Sequence, residues 1–132
     1  MIHWKYGLDA GEMKMDDLAR ALTSALQIPL YRCNSPMIGP WYSSTDFAQL
    51  AKAMKAGDQQ TLKRLALESE TDPRPNLTLT LNDPEPGYLA LEYELGGTHI
   101  LELKVADSAA AQALDQALRS LPIPVRRLSS GD

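Results

Sequence analysis

What this chain has little of narrows its chemistry before any motif is considered. It carries one cysteine, Cys33, which excludes an internal disulfide and cannot by itself hold a structural zinc ion. Its two histidines, His3 and His99, stand far apart and outside any HExxH or CxxC spacing, so neither a metal site nor a cofactor is expected. No apolar run approaches the ~18 residues that cross a bilayer, and no membrane partner is expected. Positive charge is in the minority. Thirteen Lys and Arg against 17 Asp and Glu leave a formal net charge of −4, which disfavours wholesale binding to a nucleic-acid backbone. The opening Met1-Ile2-His3-Trp4-Lys5 lacks the charged-then-apolar order of a signal peptide, and a cytoplasmic location is the expectation.

What is present is ordinary globular material, 44% hydrophobic over 132 residues, enough for one domain with one core. That domain is expected over residues 1–128, with 129–132 as a frayed tail. The organising stretch runs from Leu77 to Ala106, where apolar and polar residues alternate with a period of two in three segments. Leu77, Leu79 and Leu81 form the first, Leu89, Leu91, Tyr93 and Leu95 the second, and Leu101, Leu103 and Val105 the third. The connectors Asn82–Gly87 and Gly96–Thr98 suit hairpins, so an antiparallel meander with one apolar face is predicted. A three-residue loop, Gly96-Gly97-Thr98, keeps the faces separate and sets Tyr93 opposite Leu101 and Leu91 opposite Leu103. On the polar face Glu92 then opposes Glu102, with Glu94 close by, at a cost of ~0.2–1 kcal/mol. Either this is a solvated face softened by Lys104, or it is an acidic surface kept for a basic partner.

The remaining elements follow in chain order. Ile2, Trp4, Tyr6 and Leu8 alternate with His3 and Lys5 and predict a first strand. Leu18, Ala21, Leu22, Ala25 and Leu26 fall at helical spacing, with Asp16 or Asp17 at the helix start and Ile28-Pro29 as the stop. Leu30–Cys33 and Trp41–Ser43 are expected to close a hairpin. Ser44-Thr45-Asp46 offers caps for a helix bearing Phe47, Leu50, Ala51 and Met54 on one face, and Gly57-Asp58 divides it from a second helical segment ending near Glu68. Asp107-Ser108 caps a helix with the stripe Ala110, Ala113, Leu114, Ala117, Leu118 and Leu121, and Val125–Leu128 is expected as an edge strand. The fold class is therefore α+β, an antiparallel sheet with a three-stranded meander covered on one face by helices. A homodimer through a free edge strand is compatible with that layout.

Catalysis finds no support in the sequence. Cys33 and Ser35 are the nucleophile candidates in a polar turn context, yet no GxSxG elbow is present, and Cys33 would need His3 or His99 as its base. Gly96-Gly97 lies between strands instead of opening a helix, so it is no phosphate cradle. The unusual composition is Tyr31 to Tyr42, where an arginine, two tyrosines, a tryptophan and a methionine crowd into a turn-rich segment. These include residue types that anchor protein interfaces, although Trp41 and Tyr42 could equally pack the turn onto the core.

Within that segment Arg32, Ser35, Gly39 and Tyr42 form a spacing that resembles a strand-turn-strand pattern in some small immunity proteins of bacterial toxin systems. The resemblance implies a non-catalytic protein that binds and neutralises a cognate toxin. Arg32, Ser35, Trp41 and Tyr42 would be its anchors, and Glu92, Glu94 and Glu102 would steer it toward a basic cleft. The chain is also similar in profile to class I type III secretion chaperones, which hold an extended effector segment, but it opens with a strand where they open with a helix. A small enzyme or ligand-binding domain, with a pocket between helix 108–121 and the sheet, is the third alternative.

Overall fold

Alternation at the start of the chain, with Tyr6 and Leu8 fully buried, makes β1 (Ile2–Leu8) a strand. A computed structural model describes residues 2–35, 39–65, 75–81 and 97–131. After β1 come α1 (Met15–Leu26), β2 (Tyr31–Ser35), β3 (Gly39–Ser43), α2 (Phe47–Ala56), α3 (Gln59–Leu65), β4 (Asn76–Leu81), β5 (His99–Val105), α4 (Ser108–Arg119) and β6 (Val125–Gly131). The strands form one open antiparallel sheet in the order β2-β3-β4-β5-β1-β6. The protein is thus α+β.

The core lies on one face of that sheet. Tyr6 and Leu8 of β1, Leu77 and Leu79 of β4, and Leu101, Leu103 and Val105 of β5 meet Leu18 and Leu22 of α1 and Ala111 and Leu118 of α4. The Tyr6 hydroxyl donates to Asp115 Oδ1 on α4 at 2.8 Å, tying that helix to β1. Asp107 caps α4 by accepting from the Ala110 N–H, and Asp46 caps α2 by accepting from the Gln49 N–H. For α1 no side chain caps the start, so Asp16 and Asp17 act in its first turn through the helix dipole. Among the described residues no helix is long and apolar enough to cross a membrane.

The structure corrects the expected register. Residues 89–95, with Glu92 and Glu94, lie outside the described residues. Both edges of β5 are taken, by β4 on one side and β1 on the other, so Leu77 faces Leu103 and Leu79 faces Leu101 where Leu91 and Tyr93 were expected. The start of β5 is stitched to the end of β1 where the Thr98 N–H donates to the Leu8 carbonyl at 3.0 Å and Gly97 turns through a φ of 74°.

Some helix stripes are rotated from expectation. Ala53 is the buried residue of α2, whereas Phe47 and Met54, expected to share one face with Leu50 and Ala51, are 43% and 65% exposed. Ala111 replaces Ala113 on the inner face of α4, and Ala19 is buried on α1. At the C-terminal end β6 continues past Leu128 and pairs with β1 as far as Gly131, into residues expected as a frayed tail. A bulge shifts the register between Lys5 and Tyr6.

Candidate docking site

Period-two geometry splits the β2–β3 hairpin into two chemistries. Arg32 and Tyr42 are cross-strand partners and point toward α1, while Cys33 and Trp41 are partners one residue on and point the other way. On the α1 side, Asp16 gathers both groups. Arg32 Nη1 donates to its two carboxylate oxygens at 2.9 and 3.1 Å, and the Tyr42 hydroxyl donates to Oδ1. The Tyr42 hydrogen bond, reinforced by Arg32, holds the Asp16 carboxyl below the usual carboxylate range despite an opposing effect of desolvation. Burial, then the hydrogen bond to Asp16, pushes the Tyr42 phenol up. Tyr42 is therefore a packed residue, while the Arg32 side chain is half exposed.

An open groove of about 560 Å³ runs between α1 and the hairpin, with Asp16, Arg20, Thr23, Leu30, Arg32 and Tyr42 among its walls. A recess of about 200 Å³ adjoins it beside Met15, Asp16 and Pro40. The groove is wide and mixed in character, and its one carboxylate is already engaged by Arg32 and Tyr42.

On the opposite side the hairpin meets the start of α2. The rings of Trp41 and Phe47 lie 5.7 Å apart at 46°, a tilted contact. Phe47 and Met54 are seven residues apart on α2 and share a face, and Tyr31 on β2 is a further exposed aromatic at 38%. Three of the four large hydrophobic side chains that stand exposed among the described residues are thus Tyr31, Phe47 and Met54, at one end of the sheet; Leu81 is the fourth.

The other expected site residues fall elsewhere. Ser35 pairs with Gly39 at the far end of the hairpin. Glu102 sits on the polar face of β5, where its strand partners are Lys5 and Thr78, not another glutamate. Lys5 Nζ is 3.4 Å from its carboxylate and His3 Nε2 is 3.9 Å away, so this part of the face is charge-balanced, correcting the expected like-charge pair.

The nucleophile alternative loses its geometry. Cys33 is on β2, the edge strand among the described residues, and β1 and β5, which carry His3 and His99, are four and three positions away across the sheet, or roughly 14–19 Å at ~4.8 Å per strand. Burial raises the Cys33 thiol further from reactivity, with Asp46 adding to the effect. His99 is 4% exposed, its Nδ1 lies 2.8 Å from Thr98 Oγ1, and burial pushes its pKa down. Among the described residues no group of three or more His, Cys, Asp or Glu could hold a metal ion.

Sequence reasoning missed Asp16 as the group that organises Arg32 and Tyr42, because nothing local links residues 16 and 26 positions apart. It also groups Phe47 and Met54 on one helix face without telling that this face is exposed. Compared with protein-family models, curated proteins and solved structures, the chain matches none.

Proposed function

We propose that this chain is a non-catalytic protein-binding module that docks its partner at the β2–β3 end of the sheet, and that it acts as an immunity protein neutralising a bacterial toxin. The observation that carries the reading is the exposure of Tyr31, Phe47 and Met54 on β2 and α2, with Phe47 against half-buried Trp41. Aromatic and methionine side chains left in water beside an edge strand are the composition of an interface centre, with rigid rings supplying contact area at low entropic cost. Arg32, fixed by Asp16, offers a charged contact on the opposite face of the same strand. Tyr42 supports the site from within and does not touch the partner. Glu102, neutralised by Lys5, has at most a small part in steering.

The test mixes the purified protein with any toxin-like domain found encoded next to its gene in the native host. An equimolar complex by light scattering, together with growth rescue on co-expression, is the expected result. Phe47→Ser with Met54→Ser should abolish both while leaving the melting temperature within a few degrees, since both side chains are exposed. Absence of a complex, or loss of none of it in the double variant, overturns the reading. Binding of an extended segment but no folded domain would instead identify a secretion-type chaperone.

A further inference from the structure

We infer that the partner engages this protein by strand addition: an extended segment in which acidic and apolar residues alternate pairs with the outer edge of β2. The inference rests on the reading of this end of the sheet as a protein-docking site and names the chemistry of what docks. The sheet is open, and among the described residues β2 has one strand neighbour, β3. An edge strand presents a row of backbone donors and acceptors, and an added strand is what satisfies them.

The two edges of the sheet differ in how they are guarded. At the β6 edge the strand bulges against β1 and carries Arg126 and Arg127, both exposed, with the Arg127 guanidinium 4.5 Å from the centre of the Trp4 ring. Bulges and charges are the usual means of blocking strand addition. At the β2 edge the pairing with β3 is continuous from Tyr31 to Ser35, with no register shift, and the one charge on the strand, Arg32, is drawn inward to Asp16.

The side chains flanking β2 then specify the occupant. An added strand places alternate residues on the two faces, each beside its cross-strand neighbour at about 5 Å. Residues on the α1 side would meet Arg32 and the groove that Arg20 also lines. Arg32 gives one nitrogen, Nη1, to Asp16 and keeps further N–H donors on its planar fork for a second carboxylate. Residues on the other side would meet Tyr31 and, beyond it, Trp41 and Phe47. The complement is an acidic residue on one parity and an apolar or β-branched residue on the other. A second copy of β2 fits less well, because its own Arg32 would return to the arginine-lined side.

The experiment uses the full chain and a short synthetic peptide alternating valine and glutamate, followed by fluorescence anisotropy and amide exchange. Saturable binding with new amide protection in Tyr31–Ser35 is the expected result. A central proline in the peptide, which removes a ladder donor, should weaken binding about tenfold. Lysine in place of glutamate should weaken it similarly, and Arg32→Glu should restore the lysine peptide. Equal binding of the proline peptide, protection at β6 instead of β2, no binding at all, or dimerisation of the chain through β2 would each overturn strand addition. If the toxin complex still forms and still depends on Phe47 and Met54, the docking site stands and the partner is a folded surface instead of a strand.

Discussion

Removing one oxygen from Tyr6 tests how α4 is held to the sheet. Tyr6 is fully buried on β1, and its hydroxyl donates to Asp115 Oδ1 at 2.8 Å, while Arg119 Nε donates to Oδ2 at 2.9 Å. A hydrogen bond to a charged acceptor contributes ~1.5–3 kcal/mol, but Asp115 keeps about a fifth of its side chain in solvent, where water can replace the phenol. Tyr6→Phe should therefore cost about 1–2 kcal/mol, lowering the melting temperature by roughly 3–8 °C. Tyr6→Ala removes the ring as well and should cost ~3–5 kcal/mol. Burial works to raise the Asp115 carboxyl, yet the bonds from Arg119 and Tyr6 outweigh it and hold it low. Its contribution is present above the unfolded carboxylate range and is lost as pH falls below about 4. Urea denaturation of Tyr6→Phe, Asp115→Asn and the double variant closes a thermodynamic cycle. A coupling of ~1 kcal/mol at pH 7 that fades toward pH 3 is expected; additive single effects would refute the tether.

Other perturbations have equally definite outcomes. Buried His99 has a depressed pKa in the folded state, so unfolding takes up a proton and stability should fall as pH drops below about 6.5; His99→Gln should flatten that limb of the pH–melting curve. Gly97→Ala would press a Cβ to 3.0 Å from the Leu8 carbonyl at a φ of 74°, costing about 1–3 kcal/mol by urea denaturation. Asp46→Ala should cost about 1 kcal/mol and raise amide exchange first in α2. Glu102→Gln, removing the pair with a Lys5 side chain that is only 16% exposed, should lower stability by about 1 kcal/mol, and high salt should narrow that difference without abolishing it.

Local chemistry was readable wherever it sets structure on its own. The β1 alternation, the stop at Ile28-Pro29, the Gly57-Asp58 break and the Asp107 cap all appear where the sequence puts them, because each depends on residues within one turn. The hairpin joining Arg32 to Tyr42 was legible for the same reason. Strand order was not. The alternating pattern fixes which face of β5 is apolar but not which strand adjoins it, and β1, nearly a hundred residues earlier in the chain, supplies as good an apolar face as its sequence neighbours. The outward turn of Phe47 and Met54 was hidden because helical spacing identifies a stripe without saying whether enough surface exists to cover it; α2 lies at the margin of the sheet and buries Ala53. Asp16 was read as a helix-start residue, and its bonds to Arg32 and Tyr42 arise only once α1 crosses the hairpin.

The position of β1 between β5 and β6 also orders events in time. Earliest in sequence of the described strands, β1 has neither neighbour until residues beyond His99 have been synthesised, and its pairing of His3 with Gly131 joins the first described strand to the last. The β2–β3 hairpin needs only its own few residues and can close early. Until the final strands arrive, the apolar side of Ile2–Leu8 waits in water with both edges open, a condition that favours association between partly made chains. The hairpin end, where docking is proposed, is by contrast finished while most of the sheet is still being assembled.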